Sequence, residues 1–159
     1  MSMTKAADQE GPRCSCTALR KATRRISLFY DAALAPAGLK TTQRAILAQI
    51  LRSQPTTVGK LAEALVMDSG GLAHTLKPLE RDRYIATAID PADRRNRLIS
   101  LTPRGIEKLA ETDALWAGAE AGFEAAMGPA KLAALRDALA FLVSDGFTAS
   151  AVQKSTVPR

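Results

Sequence analysis

Apolar residues recur at spacings of three and four along much of the chain, which is typical of amphipathic helices. The first such run covers residues 17–35, and Pro36 and Gly38 are expected to end it. A second run covers residues 41–52 and stops before Pro55. The pattern therefore predicts two helices near the amino terminus, each with one apolar face.

The next two predicted helices are short and are separated by a tight turn at residues 67–71. Thr57 can cap the first and Asp68 the second, because such side chains accept a hydrogen bond from an amide in the first turn. The inner positions of the second helix are Leu72, Leu76 and Leu79. This arrangement is a helix-turn-helix pattern. Pro78 should kink or shorten the second helix, since proline removes one backbone hydrogen bond.

Beyond Arg83 the apolar period changes from helical to alternating. Residues 84–89 and 98–101 have strand character, and residues 90–97 between them are rich in charged and turn-forming side chains. The pattern predicts a β-hairpin with a basic tip. A helix-turn-helix followed by such a hairpin is a winged helix.

The carboxyl-terminal part returns to helical spacing. Thr102 and Pro103 form a favoured helix start, with threonine at the cap and proline at the first helical position. Helical phase then continues for about six turns, as far as Gly128. A last helix should end at Gly146. The side chains that it is expected to bury are Leu132, Leu135, Leu139, Leu142 and Val143.

Charge adds a hint about the partner. The chain has 22 Lys and Arg against 16 acidic residues, which gives a formal net charge of +6. An excess of positive charge indicates a polyanionic partner, and nucleic acid fits before membrane. No apolar run reaches the roughly 18–20 residues that span a bilayer. The polar first 11 residues lack the apolar segment of a secretory signal, so a cytoplasmic location is expected.

Few residues could carry catalysis or hold a cofactor. The chain has one His, two Cys, no cluster of acidic ligands and no Gly-Ser-Gly elbow, so we expect neither an enzyme nor a metal or cofactor site. Cys14 and Cys16 are too close in sequence to staple the fold. Arg13, Arg20 and Lys21 nearby would favour the thiolate. A thiol-based redox sensor that uses Cys14 and Cys16 is therefore one alternative.

Residues 39–109 resemble the MarR family of bacterial transcriptional regulators. Residues 90–105, Asp-Pro-Ala-Asp-Arg-Arg-Asn-Arg-Leu-Ile-Ser-Leu-Thr-Pro-Arg-Gly, match the wing of that family and the start of its next helix. Residues 60–65 and 76–80 match its helix-turn-helix. The flanking helices extend the resemblance to residues 17–146.

The resemblance implies a mainly α fold: a winged helix-turn-helix with a small β-hairpin wing, plus amino- and carboxyl-terminal helices that form a dimerisation domain. The expected segments are a flexible arm at 1–16, a dimerisation helix at 17–38, a DNA-binding region at 39–101, dimerisation helices at 102–146 and a loose tail at 147–159. The implied function is a homodimeric repressor of pseudopalindromic double-stranded DNA, released by a small aromatic or amphipathic anion. A winged helix that binds protein instead of DNA is the other alternative.

Two sets of residues are candidates for contact with DNA. Positions on the second helix that face outward or lie at its amino end could meet the major groove or a phosphate. They are Ser69, Gly70, Gly71, His74, Thr75, Lys77 and Arg81. Arginines of the hairpin tip could enter a narrow minor groove, and the resemblance implies that Asp93 orients Arg95 there. The tip candidates are Asp93, Arg94, Arg95 and Arg97.

The resemblance also implies a cleft for the effector between the dimerisation helices and the winged helix. Tyr30, Arg44 and Trp116 could line that cleft.

The sequence departs from the family pattern at Arg83, where a glycine usually precedes the first wing strand. Either Arg83 adopts a left-handed backbone, at a cost of roughly 1 kcal/mol, or the turn differs. Gly70 and Gly71 stand where small hydroxyl residues are commoner. DNA shape should therefore share the specificity with direct contacts.

Overall fold

Helices make up most of the chain. The computed structural model describes residues 14–154. Its helices are α1 (Ser15–Leu34), α2 (Thr41–Ser53), α3 (Val58–Leu65), α4 (Ser69–Arg81), α5 (Pro103–Glu111), α6 (Asp113–Met127), α7 (Pro129–Leu142) and α8 (Asp145–Lys154). Its strands are β1 (Thr56–Thr57), β2 (Ile85–Ile89) and β3 (Arg97–Leu101). A turn of 3-10 helix, Ala35–Ala37, follows α1 and ends at the left-handed Gly38.

The hydrophobic core lies where α2, α3, α4, α5 and the sheet converge. The predicted inner leucines of α4 are all buried in it, as are apolar side chains from the other elements. Burying one such side chain stabilises the fold by roughly 2 kcal/mol. The fully buried members are Ile46, Leu47, Ile50, Leu61, Leu72, Leu79 and Ile99.

The helix-turn-helix is confirmed, including both of its caps. The Thr57 hydroxyl accepts a hydrogen bond from the Lys60 amide at 3.3 Å, and the Asp68 carboxylate accepts one from the Gly71 amide at 2.7 Å. Pro78 was expected to kink or shorten the second helix; it does not shorten it, because α4 continues to Arg81, and the kink stays a prediction. Proline disturbs the preceding turn most, and three further residues complete the last turn.

The wing is a three-stranded antiparallel sheet in the order β1-β3-β2. The predicted hairpin is confirmed as β2 and β3, with Ile85 opposite Leu101 and Ile89 opposite Arg97. Strand β1 was not predicted, since two residues are too few to show an alternating pattern. The side chain of Gln54, just before β1, accepts a hydrogen bond from the Leu101 amide at 2.8 Å.

The predicted six-turn helix after Pro103 is in fact two helices, α5 and α6, that meet at Thr112. The Thr112 hydroxyl donates to the Leu109 carbonyl at 2.6 Å and accepts from the Arg44 guanidinium at 3.0 Å. Threonine side chains compete in this way for backbone groups within helices. Because Thr112 is fully buried, this break is a fixed part of the fold.

The expectation of a loose tail at 147–159 is wrong for residues up to 154, which form most of α8. Asp145 in the first turn favours the helix, since a carboxylate there complements the helix dipole. Phe147 packs edge-on against Phe141 at 5.8 Å between ring centroids. At the other end, α1 already begins at Ser15, so residues 15 and 16 do not belong to an arm. Residues 1–13 of that arm lie outside the described residues.

Helices α1 and α7 leave apolar side chains at the surface of the single chain. Of the side chains that α7 was expected to bury, Leu132 is buried, whereas Val143, at the end of α7, is 70% exposed and Leu139 is also exposed. On α1, Leu28 is 59% exposed and Phe29 is exposed as well. Within one chain the prediction of burial is thus confirmed for Leu132 and wrong for Leu139 and Val143. No helix within residues 14–154 combines the length and the apolar character needed to cross a membrane.

Arg83 occupies the left-handed region, with φ of 61°. The first of the two possibilities raised by the sequence is therefore the correct one. The Arg83 amide donates to the Glu80 carbonyl at 2.9 Å, which closes the turn after α4. A side chain in this conformation costs roughly 1 kcal/mol, so Arg83 is a strained position.

We predict that Arg83→Gly increases the free energy of unfolding by about 0.5–1 kcal/mol, because glycine adopts this backbone without steric cost. Chemical denaturation measures the change. Arg94→Gly is the matched control, since Arg94 is also an exposed arginine in a turn but lacks the positive φ. It should be neutral or destabilising. Equal effects of the two substitutions would contradict the assignment of strain to Arg83.

Candidate functional site

Helix α4 presents a polar face outside the core. Ser69, Gly70, His74 and Lys77 are exposed, as the sequence predicted for a recognition helix. Thr75 is half-buried, and its hydroxyl donates to the Gly71 carbonyl at 3.0 Å. Its hydroxyl proton is therefore already used within the helix. His74 and Lys77 are larger side chains on this face that are not engaged by a neighbour within residues 14–154 and could reach the edges of bases.

The amino end of α4 carries a negative group. The Asp68 carboxylate holds the Gly71 amide, and a Cβ at position 71 would lie only 2.8 Å from that carboxylate. Glycine at position 71 thus lets Asp68 close over the helix end. The Gly71 amide is already satisfied, so a phosphate at this end would meet the amides of Ser69 and Gly70 instead.

At the other end of α4, Arg81 is engaged by its neighbour. Its guanidinium donates two hydrogen bonds to the Asp82 carboxylate, at 2.8 and 3.2 Å. These hydrogen bonds hold the pKa of the Asp82 carboxyl below its ordinary value. Arg81 was predicted from the sequence to contact DNA, whereas its partner Asp82 was not identified, although two adjacent opposite charges could have indicated the pair. Arg81 reaches an outside anion only in competition with Asp82.

The tip of the wing is shaped by aspartates that bond to its backbone. The Asp93 carboxylate accepts from the Arg95 amide at 3.0 Å and from the Asn96 side chain at 3.3 Å. Asp90 accepts from the Ala92 amide at 2.8 Å. Asp93 therefore contacts Arg95 through the backbone amide and leaves the Arg95 guanidinium unengaged. Any effect of Asp93 on the orientation of the Arg95 side chain is indirect.

Three arginines project from this tip. All three side chains are exposed, and none makes an ion pair with any residue between 14 and 154. The group therefore places three positive charges, none of them in an ion pair, at the tip of the wing. Its members are Arg94, Arg95 and Arg97.

Tyr30, Arg44 and Trp116, named as effector candidates, do come together. The rings of Tyr30 and Trp116 stack with centroids 4.5 Å apart, and the Arg44 guanidinium lies 4.4 Å from the Trp116 centroid. Arg44 also donates to Asp113 at 3.0 Å. These three residues belong to α1, α2 and α6, so the cluster joins the winged helix to the terminal helices. We call it the aromatic cluster.

The Tyr30 hydroxyl is tied to a charged network. It donates to Glu120 at 2.5 Å, and Arg136 donates to both Glu120 and Glu124. Burial, together with the adjacent Glu120 carboxylate, raises the pKa of Tyr30 to about 12. No local pattern could have indicated this pair, because 90 positions separate Tyr30 from Glu120. The phenol thus stays protonated at neutral pH.

A groove of about 1200 Å³ lies elsewhere, along α1 and facing α7 and α8. Leu19, Leu28 and Phe147 give it apolar walls, and Arg20 and Arg24 add positive charge along α1. The aromatic cluster does not line this groove. The groove is therefore a separate feature from the effector cleft implied by the sequence.

Cys14 and Cys16 are both exposed and reduced at the start of α1. Hydrogen bonds with Thr17 lower the pKa of the Cys14 thiol. Cys16 lines the groove. Within the described part of the chain, no cluster of His, Cys, Asp or Glu could hold a metal ion.

The chain order, the capped helix-turn-helix and the basic hairpin define a winged helix-turn-helix protein. Residues 37–96 match the sequence model of the MarR family. SarZ of Staphylococcus epidermidis, an HTH-type transcriptional regulator, is 38% identical over 68 residues, which are 43% of this chain and 46% of SarZ. That alignment thus spans less than half of the relative's length.

Solved structures match over a longer stretch. The M. tuberculosis transcriptional regulator MosR, solved in complex with DNA, is 32% identical with a TM-score of 0.77, over 88% of this chain and 98% of MosR. The chain belongs to the MarR family. The transcriptional repressor CouR, solved on a 23-mer DNA duplex, is 22% identical with a TM-score of 0.80, over 89% of this chain and 100% of CouR. At that identity the likeness is one of fold.

Asp31 fixes the position of α1 relative to the winged helix. Its carboxylate accepts from the amide of Thr41 at 2.6 Å and from the hydroxyl of Thr41 at 2.7 Å, at the first residue of α2. Lys40 lies 3.6 Å from the same carboxylate. Although partial burial raises the pKa of Asp31, the hydrogen bonds from Thr41 and the charge of Lys40 outweigh it and lower the pKa overall.

We predict that Asp31→Asn lowers the free energy of unfolding at pH 7 by about 2 kcal/mol, since hydrogen bonds to a charged group are lost. Because the pKa of the Asp31 carboxyl is lower in the folded chain than in the unfolded chain, its charged form stabilises the fold. That stabilisation is complete above the ordinary pKa of about 3.9 and is lost as the pH falls through the lower pKa of the folded state. The difference between wild type and variant, measured by denaturation, should therefore shrink below about pH 4.

Asp137→Asn is the control, because Asp137 is exposed and its side chain makes no hydrogen bond or ion pair with residues 14–154. Its difference from the wild type should stay small at every pH. An Asp31→Asn difference that stayed constant down to pH 3 would refute the role given to the charged carboxylate.

Proposed function

We propose that this protein is a homodimeric transcriptional regulator that binds double-stranded DNA and acts as a repressor. The observation that carries the proposal is the set of three exposed arginines at the wing tip, next to a recognition helix whose polar face is open. MosR and CouR, which share the fold, were both solved with DNA. That favours DNA over a protein partner for the same winged helix.

In the proposed complex, α4 enters the major groove and the wing follows the adjacent minor groove. His74 and Lys77 would read bases, while arginine in a narrow minor groove responds to groove width. His74 and Lys77 are the longer exposed side chains of α4 that no hydrogen bond or ion pair with residues 14–154 engages, so direct readout is modest. The shape of the DNA would supply the rest of the specificity.

The dimer is supported by the apolar surface that one chain leaves open. Leu28 and Phe29 on α1 and Leu139 on α7 are exposed, and the groove between these helices has apolar walls. Large apolar patches on soluble proteins mark interaction sites. A two-fold dimer would place its recognition helices in half-sites about 10 bp apart, on a pseudopalindrome.

We predict that Arg95→Ala weakens binding to the operator by about 1–3 kcal/mol and reduces the slope of log K against log salt by about one. The probe is a duplex selected from a random-sequence pool by repeated binding to the wild-type protein. Fluorescence anisotropy at several salt concentrations gives both quantities. Sedimentation of the complex should show two chains per duplex.

Lys131→Ala is the control for loss of one positive charge, since Lys131 is exposed on α7, away from the wing. It should leave both quantities nearly unchanged. The wing assignment fails if Arg95→Ala binds like the wild type. The function itself fails if the wild type selects no sequence from the pool.

We further propose that a small aromatic or amphipathic anion binds at the aromatic cluster and releases the DNA. The Trp116 face and the Tyr30 ring offer stacking surfaces, and Arg44 supplies the positive charge for a carboxylate. In this conformation Arg44 already covers Trp116 and pairs with Asp113. A bound anion would therefore replace Asp113 as the partner of Arg44. A ligand with higher affinity for one dimer geometry shifts the population toward it.

Trp116 is the one tryptophan of the chain, so its fluorescence reports directly on this cluster. We predict that benzoate or salicylate changes the emission of Trp116 saturably and lowers affinity for the selected duplex, because a carboxylate competes for Arg44. Arg44→Met should abolish the response. Benzamide, which has the same shape without the charge, is the matched control and should have little effect.

If both anions leave the emission and the DNA affinity unchanged, the aromatic cluster is not a site for aromatic carboxylates. The thiol alternative rests on the lowered pKa of Cys14. We give precedence to a ligand response because the residues that it needs meet between the terminal helices and the winged helix.

A further inference from the structure

The segment that follows the recognition helix is held by the start of α5. Three successive carbonyls after α4 accept hydrogen bonds from residues 102–104. The Arg104 guanidinium donates to the Asp82 carbonyl at 3.1 Å, the Thr102 hydroxyl to the Arg83 carbonyl at 2.6 Å, and the Thr102 amide to the Tyr84 carbonyl at 3.0 Å. We call this set of contacts the α4–α5 junction. These contacts, all from the start of α5, fix the chain where it leaves the recognition helix.

Arg104 makes a second contact at the same place. Its guanidinium lies 5.4 Å from the centroid of the Tyr84 ring, and Lys108, one turn further along α5, lies 5.9 Å from that centroid. A cation over an aromatic face is attracted by the ring. The Arg104 guanidinium thus contacts both Asp82, the first residue after α4, and Tyr84, the third.

Small movements at the α4–α5 junction are amplified along α4. The helix has 13 residues, and at 1.5 Å per residue a rotation of about 5° at one end displaces the other end by about 1.5 Å. Hydrogen bonds to base edges tolerate much less than that, since their distances span a few tenths of an ångström. His74 and Lys77, the residues proposed to read bases, lie seven and four positions before Arg81, so the same rotation displaces them by about 0.9 and 0.5 Å.

We propose that Arg104 is a positioning residue that sets the orientation of the recognition helix without touching DNA. It acts through the Asp82 carbonyl and the Tyr84 ring, and it aligns His74 and Lys77 of α4 with the bases. The inference rests on the proposed DNA-binding function. The competing role for an exposed arginine is a phosphate contact, which the charge alone would provide.

The two roles predict different results when lysine replaces Arg104. A phosphate contact needs a positive charge, which Arg104→Lys keeps. The junction needs a guanidinium that lies over the Tyr84 ring while its Nε donates to the Asp82 carbonyl, and the ammonium group of lysine lacks that geometry. Phosphate contacts also contribute to the salt dependence of binding, whereas positioning contacts do not.

The test measures affinity for the selected duplex and for a scrambled duplex of the same composition, at several salt concentrations. Arg104→Ala and Arg104→Lys should each lose about tenfold in affinity for the selected duplex, because each leaves the recognition helix misaligned. Affinity for the scrambled duplex and the salt slope should stay as in the wild type. Tyr84→Leu removes the aromatic ring that Arg104 contacts. It should also lower the ratio of affinity for the selected duplex to affinity for the scrambled duplex.

Three results would overturn the proposal. Recovery of full affinity in Arg104→Lys, or a salt slope reduced by about one in Arg104→Ala, assigns Arg104 to a phosphate. Unchanged discrimination in Arg104→Ala gives Arg104 no role in DNA binding.

A purely structural role would lower the melting temperature without changing the ratio of specific to non-specific affinity in the folded fraction, so the melting temperature of each variant is measured alongside. If the wild type fails to discriminate between the duplexes, the proposed function fails first and this inference with it.

Discussion

Close packing between Gly105 and the carbonyl of Tyr84 is the constraint on which the winged helix depends. A Cβ at position 105 would lie 1.9 Å from that oxygen, so only glycine allows α5 to approach. Because α5 lies this close, Thr102 reaches the carbonyls after α4 and Leu109 reaches the core. The same approach aligns β3 with β2, since β3 leads directly into α5. The wing and the recognition helix therefore share one anchor.

Ion pairs engage two of the basic side chains near the anchor, whereas none with residues 14–154 engages the arginines of the wing tip. Near the anchor, Arg81 is paired with Asp82 and Lys108 with Glu111. At the wing tip the aspartates bond to the backbone instead. The formal net charge of +6 says little by itself. Three exposed arginines at the wing tip, without an ion pair within residues 14–154, are a more specific indication of a nucleic-acid surface.

Features set by neighbouring residues could be predicted from the sequence, whereas features set by distant contacts could not. The caps at Thr57 and Asp68 depend on residues three positions away, and the hairpin on two adjacent segments, so both were predictable. The break at Thr112 was not, because it depends on Arg44, which is 68 positions away. Helix α8 was missed because Gly146 resembles a stop signal, yet it lies inside the helix.

The candidate sites divide in the same way. Residues of α4 and the wing tip were indicated by local pattern and family resemblance, but the partners that limit them were not. The Asp68 carboxylate already holds the Gly71 amide, and Thr75 donates its hydroxyl proton within the helix. The types of side chain that could contact DNA can be read from the sequence. The structure shows how many of their hydrogen-bonding groups are already used.

Helix α5 connects the two proposed sites through contacts at both of its ends. Its carboxyl end abuts Thr112, which Arg44 of the aromatic cluster holds, and its amino end holds the segment after α4. Between them Lys108 donates to the Ala37 carbonyl at 3.2 Å, which ties α5 to the turn after α1. An anion that draws Arg44 away from Thr112 would thus act on the helix that orients α4. Coupling of this kind is reciprocal, so DNA bound to α4 must lower the affinity of the cluster for that anion by the same factor.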